Sequence, residues 1–157
     1  MACEAALMKQ IRTSLMLLLA FAAGAFVARL PETARAAAPP VVATSIDLNA
    51  LTPSDFPPPN PLLPNLRTKT LAQVDSTVVA YAVGTAPKHI HAGTTELQLF
   101  LAGTGTEWLG DKQIPIGPGT FVIVPPNTPH GGFTGGPFHI YTVKTPPQDP
   151  TDYHMVP

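Results

Sequence analysis

Cysteine is nearly absent from this chain: Cys3 is the single one, and it precedes an apolar run. Disulfides within the chain are therefore excluded, and no thiolate downstream can serve as ligand or nucleophile. Charge is scarce as well, with 12% charged residues and a formal net charge of -1. The few Lys and Arg are scattered and form no basic patch, which argues against nucleic acid as a partner. Beyond the N-terminal segment, no run of good helix formers carries a 3.6-residue apolar period, and 20 prolines break up the chain. A Gly-x-Ser-x-Gly elbow and a phosphate-binding loop are also missing, so nucleophilic and phosphate-cradling chemistry lack their usual sequence support. The 157 residues suit one domain of ordinary size, and an all-β class is what remains.

The first 36 residues read as a secretory signal peptide. Lys9 and Arg12 precede an apolar run from Leu15 to Ala28, and Ala34-Arg35-Ala36 supplies a small-x-small cleavage pattern. The alternative is an uncleaved membrane anchor, although Arg29 and Pro31 end the apolar run early for a span. Either way the domain is expected outside the cytoplasm, periplasmic or extracellular. After residue 36 there is no cysteine, and five Lys or Arg face eight Asp or Glu, a formal charge of -3.

Residues 37–66 read as an extended arm. Phe56-Pro57-Pro58-Pro59-Asn60-Pro61 excludes helix and favours polyproline II, yet seven large apolar residues from Ile46 to Leu66 punctuate the segment. It is either a tether or an arm packed along the domain wall or across a subunit partner. The domain proper, residues 67–145, is expected to consist of short strands separated by Gly and Pro turns. These are Ser76–Val83, Lys88–His91, Glu96–Leu101, a hairpin of Thr106–Leu109 with Lys112–Ile116, Phe121–Val124 and Phe138–Lys144. Residues 146–157 form a C-terminal tail.

The chemistry is concentrated in His89, His91, Glu96 and His130. Residues i and i+2 of a strand point to one face, so His89 and His91 present two imidazoles side by side. A carboxylate and a third imidazole from neighbouring elements complete a mixed N/O site for a first-row transition metal. His91 and Glu96 are an odd number of residues apart, which in one continuous strand would place them on opposite faces. A turn or bulge at Ala92-Gly93-Thr94-Thr95 must therefore reset the phase.

Gly84-x4-His89-x-His91-x4-Glu96-x6-Gly103 resembles the first motif of the cupin superfamily, and Gly119-x5-Pro125-x-Asn127-x2-His130 resembles the second. The likeness runs from about Thr70 to Lys144. It departs in the four residues before His89, in Asn127 where glycine is usual, and in Thr134 where asparagine is usual. Asn127 still tolerates a left-handed backbone. The resemblance implies an antiparallel jelly-roll barrel, a double-stranded β-helix, with His89, His91, Glu96 and His130 holding one divalent metal, Fe, Mn, Cu, Ni or Zn. It also raises the expectation of a homodimer.

Gln98 shares the Glu96 face and either orients a ligand or contacts substrate. Tyr81 and Trp108 read as core or interface aromatics, His139 as a wall residue and His154 as solvated. Lys88 is expected to point away from the metal, and Glu107 and Asp111 to be exposed on the hairpin. Since no separate acid or base stands near the motifs, the reading leans towards dioxygen chemistry on a small organic substrate. The alternative is a non-catalytic cupin that binds or senses a metal or small ligand.

Overall fold

The computed structural model describes residues 41–157; the expected signal segment lies outside the described residues. Ten strands form two five-stranded antiparallel sheets. The first contains β1 (Leu66–Val74), β2 (Thr77–Gly84), β9 (Phe138–Thr145), β4 (Thr95–Ala102) and β7 (Phe121–Val124), in that spatial order. The second contains β10 (His154–Met155), β3 (His89–Ile90), β8 (His130–Gly135), β5 (Gly105–Leu109) and β6 (Lys112–Ile116). This is the expected all-β jelly roll.

Each strand expected from β-branched and apolar alternation is present within a residue or two. Three were not foreseen. β1 carries Arg67, Lys69, Thr68 and Thr70, a pattern that reads as polar until paired with β2. β8 contains three glycines, which weaken strand propensity. Here the glycines are required by close approach. Gly131 has φ +77°, and a Cβ there would lie 2.8 Å from the Pro87 carbonyl oxygen. At Gly132 a Cβ would meet the Trp108 ring at 2.7 Å. β10 sits in the tail and pairs His154 with Ile90 and Met155 with His89.

The β4–β9 ladder sets a polarity gradient inside the barrel. Inward-facing partners run Phe100↔Ile140, then Gln98↔Thr142, then Glu96↔Lys144. At the apolar end, Phe100 and Phe138 are fully buried and meet edge to face at 5.7 Å, with Ala82, Ile116, Val122, Val124 and Ile140 around them. Burial of such side chains contributes about 1.5–3 kcal/mol each. The other end is left polar, and there the site lies.

The arm and tail both contact the barrel. Residues 48–50 and 53–55 form single 3-10 turns, the second closed by Asp55 Oδ2 accepting from the Thr52 amide at 2.7 Å. Phe56 packs 6.1 Å from Tyr81, Lys69 Nζ donates to the Asp55 carbonyl at 2.9 Å, and Leu63 is buried. Tyr81 is buried on the outer face of the first sheet, where its hydroxyl hydrogen-bonds Nδ1 of His139. His139 is thus a wall residue, as expected. Lys88 points away from the interior, its Nζ 4.2 Å above the Trp108 ring.

Candidate metal centre

His89, His91 and His130 are buried, and one ring nitrogen of each lies within 4.8 Å of the others. β3 delivers the first and the residue just beyond it delivers the second, while β8 pairs His130 directly opposite His89. Each ring is oriented by a main-chain carbonyl at Nδ1: Pro87 at 2.7 Å for His89, Asp152 at 2.6 Å for His91, Thr128 at 2.9 Å for His130. A carbonyl only accepts, so the proton resides on Nδ1 and the Nε2 lone pair is left free. Such outer bonds are what metal-ligating imidazoles ordinarily have.

The phase problem between His91 and Glu96 is solved by a change of sheet. β3 belongs to one sheet and β4 to the other, so residues 91–94 carry the chain across and alternation restarts at Thr95. Glu96 Oε2 then stands 3.2 Å from His91 Nε2 and 3.8 Å from His130 Nε2. With the His91 proton on Nδ1, two lone pairs face each other across 3.2 Å. A cation between them, or a second proton on the ring, relieves that repulsion.

His130 Nε2 is a buried atom with no hydrogen-bond partner among the described residues. This orphan, the three oriented rings and the adjacent carboxylate make a donor set that suits a first-row transition metal. Burial, reinforced by neighbouring His130, pushes the His89 pKa down to about 3, so this ring is neutral and able to ligate at physiological pH.

Asn127, in the Pro-Pro-Asn-Thr-Pro loop, adopts φ +61° as its side chain allows. Its main-chain N–H donates to the His91 carbonyl at 2.7 Å, tying the second motif to the first.

Three groups were missed or misplaced by sequence reasoning. Lys144 closes on Glu96, Nζ to Oε2 at 3.4 Å. Burial alone would raise the Glu96 pKa, but the Lys144 ammonium, with the His130 and His91 rings beside it, holds it well below the carboxylate range. Lys144 itself titrates above its ordinary value, because the attraction of Glu96 and Tyr153 outweighs burial.

Tyr153, in the tail, packs its ring 5.4 Å from His89 and 5.0 Å from His91. Only pairing in space brings these two residues to the motifs, so scarcity of acids and bases near the motifs in sequence does not hold for the site. Glu107 is the second correction. Expected to be exposed, it is fully buried, because β5 alternation turns it inward while Trp108 faces out. Neither of its carboxylate oxygens has a hydrogen-bond partner among the described residues, and burial plus the Glu96 charge push its pKa up to about 8. Asp111 is exposed at the hairpin turn and His154 is exposed, as expected.

Residues 77–144 match the family model described as a cupin domain. No curated protein matches the chain in sequence. Among solved structures, the nucleoside dehydratase Pac13 is 20% identical over 67% of this chain and 88% of its own, with a TM-score of 0.51. The polyketide cyclase RemF from Streptomyces resistomycificus is 21% identical over 68% of this chain and 83% of its own, at 0.52. KdgF from Halomonas sp. is 19% identical over 55% of this chain and 83% of its own, at 0.50. At these identities the likeness is one of fold.

Proposed function

From its membership of the cupin superfamily, carried by residues 77–144, we propose that this protein is an exported, metal-dependent enzyme acting on a small organic molecule. The observation that carries the reading is the set of three Nδ1-to-carbonyl hydrogen bonds, which leaves three Nε2 atoms facing one point beside Glu96. His89, His91, His130 and Glu96 would hold one divalent transition metal. When bound, that ion supplies a Lewis acid or a redox centre.

The chain's own residues do the rest. The histidines are pre-oriented, Lys144 keeps Glu96 ionised, and Tyr153 shields the imidazoles from one side. A dioxygenase-like oxidoreductase is the finer reading for a centre with open coordination positions. Proton-transfer chemistry is the second reading, favoured by one observation: Lys144 and Tyr153 bring an ammonium and a phenol to the site, with Nζ 5.7 Å from the Tyr153 ring. Both differ from a non-catalytic binding cupin in requiring turnover.

Metal analysis of protein purified from its native compartment is the first test, with His91→Ala expected to remove most of the metal and His154→Ala to retain it. Oxygen uptake by the loaded protein, dependent on added substrate, separates the oxidoreductase from the other two readings. Full metal retention in His91→Ala would overturn the assignment of the site.

A further inference from the structure

The barrel interior beside the histidines is a chamber of about 30 Å³, close to the share of one water molecule. Outside it lies a groove of about 830 Å³, the size of an ordinary small-molecule site. The two cavities share Leu63, Leu66, Lys144 and Tyr153, which therefore stand between them. The groove is walled on one side by Pro57, Pro58 and Pro61 of the arm and on another by Pro147 and Pro150 of the tail. These rings give the groove flat apolar walls beside the polar Thr68, Thr70, Gln73 and Gln148, which suits a flat or extended, largely apolar body.

The chamber is selective in a way that the groove is not. Gln98 and Thr142 are cross-strand partners, both nearly fully buried and both lining it. Among the described residues neither Gln98 Oε1 nor Thr142 Oγ1 has a hydrogen-bond partner. The amide orientation of Gln98 follows from its neighbour: Nε2 donates to Glu96 Oε1 at 3.3 Å, and a carboxylate accepts only. The free atom of Gln98 is thus an acceptor, and it requires a donor from whatever enters. A ligand carboxylate would place negative charge against Oε1 and Glu96. A hydroxyl or N–H group satisfies Gln98 Oε1, and a hydroxyl also exchanges a hydrogen bond with Thr142 Oγ1.

We propose that Gln98 and Thr142 are specificity-determining residues that select the hydroxyl- or N–H-bearing end of an elongated organic substrate, whose apolar body lies in the outer groove between arm and tail. The inference rests on the barrel interior being the active site, and it adds the substrate class and the direction of entry. Only the tip of the molecule passes between the Leu63, Leu66, Lys144 and Tyr153 side chains.

The test is calorimetric binding to the mature full chain, before and after zinc addition, with 3-phenylpropan-1-ol, 3-phenylpropanoate and propan-1-ol as probes. Before zinc is added, the aryl alcohol should bind about tenfold tighter than the carboxylate, which lacks the donor, and about tenfold tighter than propan-1-ol, which lacks the body. Thr142→Val and Gln98→Leu should each weaken the aryl alcohol about tenfold, and Thr142→Ser should restore it. Thr70→Trp, filling the exposed groove wall, should lower aryl alcohol binding to that of propan-1-ol. Equal affinity for alcohol and carboxylate in the zinc-free protein, or unchanged alcohol affinity in both Thr142→Val and Gln98→Leu, would overturn the inference. A chain that ranks the probes as expected but takes up no zinc would defeat the metal reading and leave this one standing.

Discussion

His91 donates through Nδ1 to the main-chain carbonyl of Asp152, 2.6 Å away and 61 residues later in the chain. The same aspartate grips the loop that follows His91, its carboxylate accepting from the amides of Ala92 at 2.7 Å and Gly93 at 3.2 Å. The tail is therefore part of the site's frame. Its attachment is completed by β10 and by Lys88 Nζ donating to the Pro157 carbonyl at 2.8 Å.

Removing the Asp152 carboxylate should loosen that frame without touching a ligand. Asp152→Ala is expected to lower zinc affinity roughly tenfold, the lower end of what loss of an outer partner costs a metal site. Competition with a chelating dye measures this, and an unchanged affinity would mean that the tail only covers the site.

The Lys144–Glu96 pair is buried, so removal of one partner strands the other. In metal-free protein, Lys144→Met should cost about 3 kcal/mol, as for other broken buried pairs. Zinc should recover part of that loss by replacing the missing positive charge. Urea unfolding with and without the ion reads both numbers, and a loss that zinc does not reduce would show that the carboxylate faces elsewhere.

Glu107 gives a pH signature of the opposite sign to most carboxylates. Its folded-state pKa is raised from the ordinary 4.5 to about 8, so the folded protein retains a proton that the unfolded chain releases above about pH 4.5. Stability contributed at this position is therefore lost as pH rises from about 4.5 to 8. Glu107→Gln should match the parent near pH 4.5 and exceed it by roughly a few kcal/mol at pH 8. Chemical denaturation at the two pH values is the check, and parallel pH profiles would refute it.

A homodimer is expected through the edge of the first sheet. β7 ends that sheet, and its outward Phe121 and Ile123 are 57% and 56% exposed. An apolar edge of this kind is ordinarily covered. Light scattering should find a dimer for the mature chain and a monomer for the double variant Phe121→Lys, Ile123→Lys. A monomeric parent would discard the expectation.

Export has its own readout. Expressed in a Gram-negative host, the chain should be recovered outside the cytoplasm with about the first 36 residues removed, as mass spectrometry would record. A full-length product in the membrane fraction would favour the anchor.

The local sequence determined a good deal. Alternation and turn chemistry locate seven of the ten strands, because period-2 patterning and Gly or Pro punctuation are properties of short segments. The spacing His89-x-His91 puts two imidazoles on one side of the chain for the same reason, and the two motifs placed Glu96 and His130 with them. What the sequence could not display was decided by pairing across long separations. Lys144 reaches Glu96 only because β9 lies antiparallel beside β4 in that register, and Glu107 turns inward only because β5 alternates against the second sheet. Tyr153 and Asp152 come from a tail with no strand signal of its own, held by the unpaired edge of β3. The pairing of His89 with His91 is thus written in local periodicity, whereas Glu96 and His130 were legible only through the motifs' resemblance to cupins. The charge around these residues is set by sheet topology, because burial and Coulomb interaction depend on distance in space.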